Sequence, residues 1–262
     1  METTLHTTAS LREDLQSLGV TPGMALIVHS SLKAIGKIIG GPVAVILALE
    51  QAIGPTGTLL MPTFTEYLCD PSEGENWHPE EQRKLVREHL PFYFPDLSPS
   101  WAMGFIPETF RKQTGVIRSA HPHLSFAAWG QNAQKVIAGH SLDFALGEQS
   151  PIGQLYRMRG NILLLGAPKT TNTSLHLGEY WQTNTFKKAK DWDVLLPVDG
   201  ERCWTRYRDI NNMCDDFGRI FDAFSAETGL VREGRVGDAL SYLMPQREMV
   251  DFAVRWMNAN RN

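Results

Sequence analysis

The stretch NTSLHLGEY, residues 172–180, sets His176 three positions ahead of Glu179, behind a run of small polar residues. Side chains at i and i+3 share one face of a helix, and Asn172 to Ser174 are residue types that cap a helix start. A carboxylate that accepts a hydrogen bond from one imidazole nitrogen fixes the tautomer and raises the basicity of the other nitrogen, which is the arrangement of a general base. The same pair also reads as a metal site or as a charge pair on a surface helix. Two ligands are too few for a metal ion, and no acidic or histidine partner sits close by in sequence. The residue types leave the other two readings open.

Three further stretches hold candidate chemistry. VHSSL (28–32) followed by IGKIIGG (35–41) is a strand ending in polar residues and then a glycine-rich turn into a helix, a common ligand cradle in open α/β sheets. Its spacing fits neither GxxxxGK[ST] nor GxGxxG, so nucleoside-triphosphate and dinucleotide fingerprints both fail. In GVIRSAHPHLSF (115–126), Arg118 and Ser119 together suit a phosphate. His121 and His123 flank Pro122, which favours a turn, and at least one of the two reads as structural. AGHSLDF (138–144) nearly spells the G-x-S-x-G nucleophile elbow, but Asp143 stands where a small residue is needed, and no apolar strand leads into Ser141. A serine hydrolase is the rival enzyme class, and a non-catalytic ligand-binding protein the rival outside enzymes.

These side chains need a scaffold, and the chain has the material for one. Hydrophobic residues make up 42% of 262 positions, enough for a packed α/β core. A net charge of −4 disfavours general binding to nucleic acid, which needs a basic face, and suits a cationic ligand better. The three cysteines (Cys69, Cys203, Cys214) make no paired spacing, as expected of reduced thiols. No basic-then-apolar leader opens the sequence and no apolar run approaches membrane-spanning length, so a cytoplasmic location with no membrane partner is expected.

Read for elements, SLRE (10–13) opens a helix to about Leu18, ALIVHSSL (25–32) and TLLMPTFT (58–65) are strands, and residues 40–54 form a helix with Pro42 in its first turn. Residues 66–100 break the rhythm with six prolines or glycines and the charged EEQRKLVREHL, an excursion around one short helix. A helix near 105–113, a strand over 124–130, a helix from Ser150–Pro151 and the buried strand NILLLG (161–166) follow. The segment 195–207 reads as a hairpin turning on Asp199–Gly200, then come an amphipathic segment near 215–226 and a C-terminal helix from about Pro245. The pattern predicts one α/β domain over 1–262, a central mixed sheet flanked by helices with an inserted, mostly helical segment.

Taken in order, VHSSL…IGG, GTLLMPTFT, MGFIPETFR, VIRSAHPHLSFAAWG, GEQSPIGQLY, ILLLGA and NTSLHLGEY resemble the aminoglycoside 3-N-acetyltransferase family, the antibiotic N-acetyltransferases distinct from the GNAT fold. The resemblance runs from about residue 10 to 258. It implies acetyl transfer from acetyl-CoA to the 3-amino group of a 2-deoxystreptamine antibiotic, an antibiotic-resistance activity, with another amine as the alternative acceptor. It further implies that Ser30, Ser31, Gly40 and Gly41 line the CoA arm, that Arg118 and Ser119 contact a CoA phosphate, and that His176 and Glu179 are catalytic, with His29 as a second histidine and Thr173 as a hydrogen-bond donor. A multiply cationic acceptor calls for carboxylates, and Glu66, Asp70, Glu73, Glu75 and Glu148 are the candidates. The oligomeric state stays open.

Overall fold

The computed structural model describes residues 4–184 and 188–261, with the side chain of Glu75 also outside the description. In chain order the elements are β1 (Leu5–His6), α1 (Thr8–Leu18), β2 (Ala25–Ser30), α2 (Leu32–Ile35), β3 (Lys37–Ile38), α3 (Gly41–Ile53) and β4 (Thr58–Pro62). Then come α4 (Glu80–His89), α5 (Phe105–Phe110), β5 (Ile117–Arg118), β6 (Phe126–Gly130), α6 (Ala133–Ile137), α7 (Pro151–Arg157) and β7 (Asn161–Leu165). The last third holds α8 (Ser174–Trp181), β8 (Ala189–Val198), β9 (Glu201–Ile210), α9 (Phe217–Thr228), β10 (Arg232–Val236), β11 (Ala239–Pro245) and α10 (Gln246–Asn260).

Among the described residues seven strands form the main sheet in the order β10-β11-β7-β2-β4-β6-β5. The central trio β7-β2-β4 is parallel, and antiparallel strands extend it on both sides. Strands of such a trio are covered on both faces and so read as continuous apolar runs, as ALIV, TLLM and NILLL do. Alternation then splits them between two cores. Leu26, Val28, Leu163 and Leu165 join one cluster with Leu11 and Leu15 of α1 and Leu49 of α3. Ile27, Ile162 and Leu164 join the other with Leu175 of α8, Phe221 of α9 and Ala253 of α10. No helix among the described residues is long and apolar enough to cross a membrane.

Several sequence expectations shift. The first helix is capped by Thr7, with Ser10 in the third helical position completing the box, because the serine hydroxyl substitutes for the glutamate the motif usually has there. The expected hairpin is longer, β8 against β9, and forms its own two-stranded sheet. It turns at Asp199 and Gly200, whose positive φ angles of 51° and 85° are what a two-residue hairpin loop needs. The excursion carries α4 and two 3₁₀ turns, Glu66–Leu68 and Gly74–Asn76. β10 and β11, a second hairpin on the sheet edge, were not anticipated.

Candidate active site

Parallel strands β2 and β7 end side by side, with His29 paired opposite Leu164 and Ser30 opposite Leu165. Ligands in open α/β sheets bind beyond such carboxyl ends. From β7 the chain turns at Gly166 (φ 65°), where a Cβ would come within 2.8 Å of both Ala34 and Ala239, so only glycine lets it pass. Asn172 then accepts the Ser174 N–H through Oδ1 at 3.3 Å and starts α8. This brings His29, Ser30, Thr173 and His176 to the wall of one cleft of about 390 Å³, together with Phe64, Met103 and Cys214.

The shared helix face expected of His176 and Glu179 is present: Nδ1 lies 2.6 Å from Oε2. Glu179 is only 2% exposed. Its oxygens also accept the Met213 N–H at 3.1 Å and Nη1 of Arg261 at 2.7 Å. Arg261 in turn forks onto Asp216 at 2.6 and 2.7 Å. An acceptor-only carboxylate at Nδ1 places the proton there and leaves Nε2 as a lone pair. The ring packs on Phe217 with centroids 4.9 Å apart. His29 is held neutral, its pKa pushed down to about 3 by burial and then by the proximity of His176. Its Nε2 and the Ser30 Oγ are buried without a hydrogen-bond partner among the described residues. Buried polar atoms are nearly always satisfied, so these two fit a ligand that reaches the cleft floor.

The other candidate residues have these partners and positions. Every nitrogen of Arg118 is spent on protein: Nε on Thr63 and Ser125, Nη1 on the carbonyls of Pro95 and Ser98, and Nη2 on the Thr63 carbonyl. It pins the excursion to the end of β4. Ser119 is 2% exposed, bonded to the Phe126 N–H and His140. Ser31 caps α2 through the Ala34 N–H, and Gly40 and Gly41 open α3 at positive φ; none of the three lines the cleft. His121 accepts two backbone N–H groups and is structural. Ser141 lies in a loop, without the strand-to-helix turn an elbow requires. Among the described residues no group of three or more His, Cys, Asp or Glu is arranged for a metal ion.

The candidate acids scatter. Asp70 is buried and paired with Arg87, and Glu73 pairs with Lys190 at 2.9 Å, so neither faces a cavity as a free carboxylate. The Glu75 side chain lies outside the described residues. Glu148 lines a cavity of about 580 Å³ with Asp143, Tyr180 and Arg208. Glu66 lines a smaller one of about 230 Å³ with His123, Tyr207, Asn212 and Asp209. Asp209 escaped the sequence reading. It is 1% exposed and accepts from the Tyr180 hydroxyl at 2.5 Å and from the N–H groups of Ala145 and Ile210. Burial raises its pKa, against those hydrogen bonds and nearby His176. Arg261 also escaped it, since nothing in NANRN marks a buried cation.

This fold and cleft define an acyltransferase class: the sequence profile of the aminoglycoside 3-N-acetyltransferase family matches residues 27–258, and the chain belongs to that family. Acetyl-CoA is the family's co-substrate. Among its relatives, the SPbeta prophage-derived aminoglycoside N(3')-acetyltransferase-like protein YokD of Bacillus subtilis is 40% identical over 97% of this chain and 93% of its own. Aminoglycoside N(3)-acetyltransferase VII of Streptomyces paromomycinus is 35% identical over 96% of this chain and 91% of its own. The crystal structure of YokD superposes with a TM-score of 0.94 over 99% of this chain and 97% of that one. The structure of AAC-IIIb with CoASH gives 0.88 at 31% identity over 98% and 97%.

Proposed function

We propose that this chain transfers the acetyl group of acetyl-CoA directly to the 3-amino group of a 2-deoxystreptamine aminoglycoside, with His176 as general base. The observation that carries the assignment is the Nδ1–carboxylate bond of His176 in a cleft whose floor holds His29 Nε2 and Ser30 Oγ without partners. An ammonium has no lone pair, so the acceptor must lose a proton before it attacks a thioester. Imidazole is the side chain suited to take such a proton near neutral pH, help worth about 10²–10⁴ in rate. Glu179 fixes the tautomer and stabilises the imidazolium that forms. Thr173 at the cleft wall donates to the developing oxyanion or to the leaving sulfur. His29, buried and neutral, contributes a hydrogen bond and not the proton acceptor. Acetyl-CoA, when bound, supplies the acyl group, and His29 and Ser30 are the residues that would meet its reactive end.

Cys214 also lines this cleft, which brings a covalent acetyl-enzyme into consideration that the sequence motifs did not suggest. Direct transfer is favoured because His176 already has its orienting carboxylate and no hydrogen bond joins it to the thiol among the described residues. The test is acceptor-dependent release of CoA thiol over a panel of aminoglycosides and simpler amines, with His176→Ala and Cys214→Ser beside the parent. His176→Ala should lose at least about a hundredfold in turnover with CoA affinity near normal. Cys214→Ser should keep its turnover; a dead Cys214→Ser with an active His176→Ala would overturn the mechanism. Release driven only by amines lacking the 2-deoxystreptamine ring would replace the acceptor.

A further inference from the structure

We infer that Arg261, directly after α10, is a positioning residue for the His176–Glu179 pair, so that the segment following this helix completes the catalytic centre. The inference rests on His176 as the base. Glu179 is almost wholly buried, and an ionised carboxylate there is unfavourable unless it is paired and hydrogen-bonded. Its two oxygens divide the work: Oε2 meets His176, and Oε1 meets the guanidinium of Arg261 and the Met213 N–H. Arg261 is itself 5% exposed and holds Asp216 through its other two nitrogens, while Nη2 also reaches the Met213 carbonyl at 3.2 Å. One guanidinium thereby ties the carboxylate behind the base to the 213–216 segment, whose Cys214 forms part of the cleft wall.

Arg261 reaches this point through the packing of α10. Gly178 of α8 lies against Ala253, Val254 and Met257 of α10, all close to 3.5–3.7 Å from where a Cβ would stand, so the two helices approach closely. Asn184 then donates to the carbonyls of Met257 and Arg261 at 3.0 and 2.7 Å and fixes the last turn and the residue after it.

Charge completes the argument. With His176 neutral, the carboxylates of Glu179 and Asp216 outweigh the single guanidinium by one negative charge, and a proton on His176 cancels it. The other ionisable groups facing the pair are His29 from β2, kept neutral by burial, Asp209 from β9, bonded to Tyr180, and Cys214. Removing Arg261 favours the imidazolium and removing the Asp216 charge disfavours it, so the two changes move the acid limb of the rate profile in opposite directions. A merely structural arginine would not do that.

The experiment compares full-length Arg261→Gln, Arg261→Lys, Asp216→Asn and His176→Ala with the parent, measuring kcat, KM for acetyl-CoA, the pH dependence of kcat/KM and thermal midpoints. Arg261→Gln should lower kcat at least about tenfold through misplacement of the base, with KM for acetyl-CoA within about twofold. Arg261→Lys should recover part of the loss, since lysine restores the cation without the fork. The acid limb should move up by about half a pH unit in Arg261→Gln and down in Asp216→Asn. Parent-like kcat and limb in Arg261→Gln overturn the positioning role, as does a loss matched by unfolding with both limbs unmoved. If His176→Ala retains turnover, the base assignment itself fails, a result distinct from an inactive His176→Ala beside a normal Arg261→Gln.

Discussion

Oε1 of Glu179 takes the guanidinium of Arg261 at 2.7 Å while Oε2 takes His176 Nδ1 at 2.6 Å, so the two oxygens of one carboxylate have different tasks. The difference makes Glu179→Gln an informative substitution. The amide oxygen must turn toward the guanidinium, which can only donate, and this points the amide NH₂ at Nδ1. Nδ1 then has to accept, the ring proton moves to Nε2, and the base loses its lone pair. Glu179→Gln should therefore fall about as far as His176→Ala, on the order of a hundredfold or more in single-turnover rate, with CoA binding unchanged. Turnover within a few-fold of the parent would show that the carboxylate does not select the tautomer.

Buried neutral histidines predict how stability responds to acid. Burial pushes His29 down to about 3 and His123 and His140 to about 4, and holds His121 well below its usual value of 6.5. The unfolded chain binds these protons near pH 6.5 and the folded chain does not. The stabilisation is thus complete above about 6.5 and is lost as pH falls toward 4, at up to about 1.4 kcal/mol per pH unit for each histidine. Asp209, with its pKa raised, acts in the opposite sense but is one group against four. Urea midpoints should drop steeply between about pH 7 and 5, and a flat profile would contradict the buried, neutral placement.

Arg118 separates a structural from a ligand-binding arginine. Its guanidinium links Thr63, just after β4, and Ser125, just before β6, to the carbonyls of Pro95 and Ser98 on the excursion and stacks on Tyr93 at 5.1 Å. Arg118→Ala should cost about 2–3 kcal/mol of stability, because several carbonyls lose a charged donor at once. CoA affinity, measured by calorimetry below the unfolding transition, should stay within about twofold. A tenfold weaker CoA with unchanged stability would reinstate the phosphate reading.

What the sequence made legible was local. The i, i+3 spacing of His176 and Glu179, the Ser150 cap and the Asp199–Gly200 turn each depend on residues within a few positions, and all three stand in the structure. The strands of the parallel trio were readable because burial on both faces leaves an unbroken apolar run. β10 was not, because Arg232, Glu233 and Arg235 on a sheet edge leave no apolar period to find. Side-chain partners remote in sequence were equally hidden. Arg118 finds Thr63 across 55 positions and Arg261 finds Glu179 across 82, and no spacing rule reaches that far. The family motif labelled Arg118 as a ligand contact for its residue type, whereas tertiary structure had already committed its donors.

Asp209 is where an unforeseen residue bears on acceptor choice. Its carboxylate lines the 230 Å³ cavity with Glu66 and is near enough to His176 for that ring to favour its ionised form. Three donors already hold it, the Tyr180 hydroxyl and two backbone N–H groups, so its oxygens are fixed in place before any acceptor arrives. A preorganised carboxylate beside the base attracts a second ammonium of a multiply charged acceptor and orients the first. Asp209→Asn should therefore raise KM for a polycationic aminoglycoside about tenfold or more and leave KM for acetyl-CoA unchanged, with a smaller effect on a monoamine acceptor. Glu66→Gln, which lines the same cavity, should show the same selectivity more weakly. An equal loss for monoamine and polyamine acceptors would assign Asp209 to packing around Tyr180 and leave acceptor recognition to the larger cavity beside Glu148.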